Sequence, residues 1–349
     1  MSVASAVRGV LWARRRQPED VRYFAALAHE RFAPDDLLRQ AVEAEQAGFD
    51  GVCGSDHLAP WWTEETAPTN SGNVWVWLGA VANATGNVQI GTGVTAIVHR
   101  YNPVVVAQQI ATLELLAPGR AFLGVGSGEA MNEVPAGMTW PSTEEQLART
   151  EEALTIIARL LDGETVTFDG RFFKAKRAVL HSRPPRRPPV YMSAFYEGAA
   201  EVAGRLADGV WTLGNPMTAP KVIAAYRSGC GEASREPGEI IVQSVFSVAD
   251  SDESALEQAR EWKGTMVDEH YTDDLPDPGD IYRRGEHDVK DSTFTKQIIA
   301  SADPDTHVKR IKSLQRLGAT TMVLMNVSAA DPVGALHVYG ERVLPQLKS

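Results

Sequence analysis

The sequence predicts an α/β fold, specifically a (β/α)8 TIM barrel with insertion segments, and three observations lead there. Strand-like and helix-like segments alternate through eight repeats of the 349-residue chain. The strand segments read as continuous apolar runs, the pattern of a parallel sheet buried on both faces. No glycine-rich loop follows the first strand, where a doubly wound open sheet would want one. A chain of 349 residues exceeds the usual single-core size, but barrels of this kind reach it as one domain with insertions.

The first strand is VRYFAALA (Val21–Ala28). Pro34 opens a helix with Leu37, Leu38, Ala41, Val42 and Glu45 at helical spacing, and Gly48 stops it. DGVCGSDH (Asp50–His57) and NVQIGTGV (Asn87–Val94) are the second and third strands. Asn102 then caps a helix with Pro103 at its tolerated first position. RAFLGVGS (Arg120–Ser127) is the fourth strand, followed by a helix over Thr143–Leu161. PPVYMSA (Pro188–Ala194), DGVWTLG (Asp208–Gly214), EIIVQSVFSV (Glu239–Val248) and ATTMVLMN (Ala319–Asn326) complete the eight. Two stretches break the rhythm: an extended surface excursion near 163–185, and a polar, Pro/Gly-punctuated segment near 268–295. The latter is expected to be a long loop acting as a lid, binding or interface segment. Residues 1–19 read as an N-terminal extension, because Arg8 breaks the short apolar part and the basic cluster follows it, the reverse of a signal peptide. Residues 20–349 are expected to form one barrel domain.

Bulk properties narrow the partners. A net charge of −11 disfavours nucleic acid, whose phosphates need a basic patch. No apolar stretch approaches the roughly 20 residues of a membrane span. Cys53 and Cys230 are the only cysteines and form no metal or redox pair, which suits a reducing cytoplasm.

In such a barrel, chemistry belongs at the C-terminal ends of the strands. Those ends carry Glu30, Ser55–Asp56–His57, Gly93–Val94, Ser127–Gly128–Glu129, Ala194–Phe195–Tyr196 and the stretch from Thr212 to Asn215. His57 titrates near neutrality and is a candidate acid/base, four residues before Trp61. A metal role is disfavoured, since the eight histidines form no His-x-His or His-x-x-x-His pair. Glu129 is either a charge at a helix start or a proton relay. Gly126, Ser127 and Gly128 could offer backbone N–H groups to a phosphate, or merely permit a tight turn. Trp61, Trp62, Trp75, Trp77, Phe195, Tyr196 and Trp211 fall in barrel-top segments, and eight Trp against ten Phe suggest stacking surface.

The stretches AGFDGVCGSDHLAPW (Ala47–Trp61), IGTGV (Ile90–Val94), RYNPVVVAQQIATLELLAPGR (Arg100–Arg120) and FLGVGSGEAMNE (Phe122–Glu133) carry a resemblance. Together with AHERFAP (Ala28–Pro34), and more weakly AGRLADG (Ala203–Gly209) and IIASADPD (Ile298–Asp305), they span nearly the whole chain after residue 20. The sequence resembles the luciferase-like flavin and deazaflavin oxidoreductases, most closely the branch of F420-dependent glucose-6-phosphate dehydrogenases. That resemblance implies a homodimeric (β/α)8 barrel whose deazaflavin exchanges a hydride between its ring C5 and a substrate carbon. It implies that His57 takes the alcohol proton, that Glu129 exchanges a proton with the reduced ring, and that Trp61 and Glu30 line the same pocket. Asp56, Gly126, Ser127, Gly128 and Asn132 match cofactor contacts. Gly93–Val94 matches a strand end whose bent backbone, often a cis peptide, supports the ring.

Departures from the family pattern bear on the substrate. Two lysines and an arginine hold the phosphate in the sugar-phosphate dehydrogenases. Here they align at about Asn215 (Pro216 with another gap placement), near Thr272 and near Lys296, so one cation of three remains. Each lost charge-assisted bond costs roughly 1.5–3 kcal/mol, which demotes glucose 6-phosphate. Thr212, Asn215 and Lys296 are the expected substrate-side residues. Phe195–Tyr196 replaces a glycine pair near the cofactor tail, which keeps FMN possible. The expected function is F420-dependent hydride transfer to or from a small alcohol or sugar. An FMN-dependent monooxygenase-like enzyme is the alternative within the class, and a glycosidase using Glu30 and Glu129 the alternative outside it.

Overall fold

The computed structural model describes residues 21–349, so the expected extension over 1–19 lies outside the described residues. Eight parallel strands close into a barrel: β1 (Arg22–Leu27), β2 (Gly51–Gly54), β3 (Gln89–Thr92), β5 (Ala121–Gly126), β8 (Val190–Ser193), β9 (Gly209–Leu213), β10 (Glu239–Ser247) and β12 (Thr321–Asn326). Closure is made by β1 against β12, with Arg22 opposite Thr321 and Leu27 opposite Asn326. All eight are the strands expected from the apolar runs. Two short strands lie off this ring: β4 (Thr95–Ala96) pairs with β5, and β11 (Ile298–Ala300) with the far end of β10.

Alternate strand residues fill the barrel, where Phe24, Cys53, Phe122, Tyr191, Trp211, Ile241 and Val323 form one buried cluster. The opposite faces pack against the surrounding helices: α1 (Pro34–Gln46), α2 (Val74–Ala84), α3 (Pro103–Leu116), α5 (Thr143–Leu161), α6 (Glu197–Leu206), α7 (Ala219–Glu232), α11 (Pro304–Gln315) and α12 (Pro332–Val338). α4 (Ala130–Glu133) is a single turn after β5. Side-chain caps start several helices where the sequence places them. Asn102 Oδ1 accepts from Val104 N at 2.9 Å ahead of Pro103, and Ser142 Oγ accepts from Glu145 N at 3.3 Å. Each such cap is worth about 1 kcal/mol.

The excursion near 163–185 is an antiparallel hairpin of β6 (Val166–Asp169) and β7 (Lys174–Ala178). The segment near 268–295 differs from expectation, because it is largely helical instead of a loop. α8 (Asp252–Gln258) leads into 3-10 turns over Arg260–Met266 and Asp268–Tyr271, then α9 (Pro278–Asp288) and α10 (Asp291–Gln297). These turns and helices roof the barrel top. Trp262, Val267, Ile281, Val289 and Phe294 pack with Trp61, Trp62 and Met131 in a separate buried cluster. Trp62 meets Trp262 edge-on at 5.0 Å, and Arg31 pairs with Glu261 at 3.0 Å.

Candidate active site

Beneath the roof, at the C-terminal ends of the strands, lies a cavity of about 630 Å³. Glu30, just beyond β1, and His57, three residues beyond β2, reach it from adjacent strands. Ser55 Oγ donates to Glu30 Oε1 at 2.6 Å, and the same oxygen lies 2.9 Å from His57 Nδ1. On the other side of the imidazole, Nε2 stands 3.7 Å from Glu129 Oε2. Burial alone would disfavour the charged imidazole, but the Glu30 and Glu129 carboxylates outweigh it and raise the His57 pKa above 6.5. Burial likewise opposes the Glu30 charge, and the imidazole and Ser55 overcome it, so that carboxyl is held below its ordinary value. Both shifts favour a shared ion pair in the resting site.

Glu129 stands at the start of α4, yet its side chain makes no capping bond there. It faces His57 and accepts from Asn132 Nδ2 at 3.1 Å. Trp61 covers the imidazole at 5.4 Å between ring centroids and is itself packed edge-on at 4.2 Å by His270. Asp56 is buried, accepting from Thr95 Oγ1 at 2.9 Å and Tyr101 OH at 3.2 Å, with Arg100 paired to it at 3.3 Å. Arg100 also pairs at 3.3 Å with Glu133, whose carboxyl burial pushes up to about 7.

Glycines and their neighbours form part of the cavity wall beside Glu129. The Gly93–Val94 peptide is cis. A Cβ on Gly126 would come within 2.9 Å of Val94 Cγ2. Gly128 has φ +86, a left-handed conformation that favours glycine. All of Gly93, Val94, Gly126, Ser127, Gly128, Phe195 and Tyr196 line the cavity, as does Asn215.

Three expected site residues lie elsewhere. Thr212 is buried and does not line the cavity, since strand alternation turns Trp211 and Leu213 toward it instead. Lys296 is exposed near the end of α10, while its neighbour Gln297 lines the cavity. Asn132 is buried behind Glu129, where Oδ1 accepts from Leu58 N at 2.8 Å and Ala59 N at 3.1 Å. No lysine or arginine is among the residues lining the cavity. Arg283 and Arg284 sit in a separate shallow depression with Asp280, His287 and Asp288. Of the barrel-top aromatics, Trp61, Trp211, Phe195 and Tyr196 line the cavity. Trp62 lies in the roof core, and Trp75 and Trp77 belong to α2. Among the described residues, no cluster of His, Cys, Asp or Glu is arranged to hold a metal, and no helix is long and apolar enough to cross a membrane.

Several lining residues escaped sequence reasoning. Gln243 and Ser244 interrupt the apolar run of β10, a signal that could have marked them; Gln243 Oε1 accepts from Trp211 Nε1 at 2.8 Å. Tyr271 comes from the segment that read as a loop, and Trp262 and Met266 from the turn just before it. His270, buried behind Trp61 with no hydrogen-bond partner at either ring nitrogen, is pulled down to about 3, mainly by burial.

A histidine poised between carboxylates on the wall of a large cavity suits an enzyme that moves a proton in step with a hydride. Comparison with known proteins agrees: residues 9–321 match the family described as luciferase-like monooxygenase, and the chain belongs to that luciferase-like family. Within it, the chain is 39% identical to an F420-dependent glucose-6-phosphate dehydrogenase from Beutenbergia cavernae over 92% of this chain and 95% of the relative. It is 34% identical to the F420-dependent hydroxymycolic acid dehydrogenase of Mycobacterium tuberculosis, over 92% of this chain and 87% of that one. Among solved structures, an F420-dependent secondary alcohol dehydrogenase in complex with an F420-acetone adduct superposes with a TM-score of 0.90. It is 31% identical, and the match covers 95% of this chain and 100% of that one.

Proposed function

We propose that this chain is an F420-dependent oxidoreductase that transfers a hydride between the CH–OH carbon of an uncharged alcohol or sugar and the deazaflavin. The observation that carries this reading is His57 held between Glu30 and Glu129 at the floor of the cavity. Residues present there suit the cofactor: Gly93, Gly126 and Gly128 line the cavity with backbone alone, and the space where each side chain would stand is taken by Cys53, Val94 or Ala96. A deazaflavin held there would supply the hydride acceptor or donor. Neutral His57 takes the hydroxyl proton during oxidation, and its imidazolium returns one to the carbonyl oxygen during reduction. Glu30 orients the ring through Nδ1 and stabilises the imidazolium. Glu129, on the far side of Nε2, is placed to hold a proton on its carboxyl that a ring bound there would exchange. A glycosidase is disfavoured by geometry, because the imidazole fills the space between the two carboxylates where the scissile bond would have to sit.

The cavity chemistry supports an uncharged substrate. With no cation on its lining, a substrate phosphate dianion would lack the charge-assisted bonds that lysine and arginine supply. Met266, Trp262, Val245 and Met325 instead offer apolar surface near the roof. We further propose a homodimer through α2 and α3, neighbouring helices on which Val76 is 77% and Leu116 60% exposed.

Titration with F420 and with FMN, followed by fluorescence quenching, tests the cofactor. F420 is expected to bind at least about tenfold tighter, a difference of about 1.4 kcal/mol. Equal or reversed affinities overturn the assignment. With F420 in place, glucose 6-phosphate is expected to turn over far more slowly than the best uncharged alcohol or sugar in a screen, and the reverse order would overturn the substrate reading.

A further inference from the structure

Glu129 and His57 stand on loops that follow β5 and β2, and in the barrel β3 separates those two strands. Their facing atoms are 3.7 Å apart, too far for a hydrogen bond to fix their spacing. Something else must set that gap, and Asn132 reaches both loops. Its Oδ1 accepts from the backbone of Leu58 at 2.8 Å and Ala59 at 3.1 Å, the two residues after His57. Its Nδ2 donates at 3.1 Å to Glu129 Oε2, the same oxygen that faces His57. The two backbone donors require the oxygen on their side, so the amide can point only one way. Asn132 N also donates to Glu129 O at 3.0 Å, which keeps the two residues on one turn. The side chain is buried and absent from the cavity lining.

Resting on the acid–base reading above, we propose that Asn132 is a positioning residue: a neutral bracket that ties the Glu129 carboxylate to the His57 loop and so fixes the two proton-handling groups relative to each other. An asparagine serving only the loop would have no use for a donor aimed at Glu129. A carboxylate at this position would keep both backbone bonds and repel Glu129, and a leucine would lose all three bonds at similar volume. The neutral amide alone can accept on one side and donate on the other.

Asn132→Leu, Asn132→Ala and Asn132→Asp separate the possibilities, with thermal unfolding identifying which variants fold. Histidine NMR of the cofactor-free protein is the readout that needs no turnover. In whichever of the Leu and Ala variants folds, the His57 titration midpoint is expected to fall toward the ordinary value, because Glu129 is no longer held beside Nε2. F420 affinity, read by fluorescence quenching, is expected to stay within about threefold in all variants, while kcat falls at least about tenfold in Asn132→Asp as in the others, within the range of positioned acid–base groups. An unchanged His57 midpoint, near-normal kcat in Asn132→Asp, or a loss of F420 affinity matching the loss of kcat would each overturn the proposal. If wild-type protein binds no F420, the cofactor assignment fails, and the His57 midpoint still decides the bracket.

Discussion

His57 has a carboxylate against each ring nitrogen, and this decides how its charge follows pH. Its folded pKa is raised above 6.5, so the imidazolium's contribution to stability is complete below 6.5 and is lost as pH rises through the folded value. Alcohol oxidation needs the neutral ring, so kcat is expected to climb through that raised midpoint, whereas carbonyl reduction should decline through it. Glu30→Gln removes the largest charge raising the midpoint, and the oxidation profile should move to lower pH; a profile that stays in place would exclude His57 as the titrating base. His57→Ala and Glu129→Gln are each expected to lower kcat by roughly 10²–10⁴, with far smaller changes in F420 affinity. Near-normal turnover of Glu129→Gln would return that side chain to the role of a helix-start charge. From the sequence, those two roles of Glu129 could not be separated, since both want a carboxylate at the same position. The direction of the side chain, toward His57 with no capping bond, favours the relay proposed above. Asn132 was expected as a cofactor contact, and its link to the His57 loop was hidden because two of its partners are backbone groups more than seventy residues away in sequence.

At the level of elements, the barrel strands were legible because burial on both faces leaves an unbroken apolar run. The roof was not, because α9 buries only Ile281 and two glycines among charged neighbours, so no apolar stripe marks it. A local signal was nevertheless present. Asp277 caps α9 ahead of Pro278, with Oδ1 accepting from Gly279 N at 2.7 Å, the same arrangement as Asn102 with Pro103. The roof is secured to the barrel by the Trp62–Trp262 contact and the Arg31–Glu261 pair. Trp62 is buried to 0% exposure, so Trp62→Ala should cost about 3–5 kcal/mol in thermal or urea unfolding. Because Trp262 also lines the cavity, KM for the substrate should rise in this variant while F420 affinity holds, and limited proteolysis should cut first within 259–297. Unaltered proteolysis and KM would show that the roof is held by other contacts.

On the scale of the whole molecule, α2 and α3 leave Val76, Val105, Leu115 and Leu116 exposed on faces that the barrel does not cover. Sedimentation should report a dimer for the wild type, and Val76→Asp with Leu116→Asp should shift it to monomer without disturbing the fold; a monomeric wild type would remove the dimer proposal. Strand β10, at nine residues, outlasts its neighbours, and its last three residues pair with β11. The chain therefore leaves β10 through α8, builds the entire roof, and returns to the same strand at Ile298. Both ends of the roof are stitched to one stave, like a handle riveted at two points of a single plank. Insertions or replacements between those rivets leave the order and register of the eight staves untouched. Evolution can thus exchange the surface that meets the substrate as a cassette, while the histidine and its carboxylates, carried by other staves, keep their places.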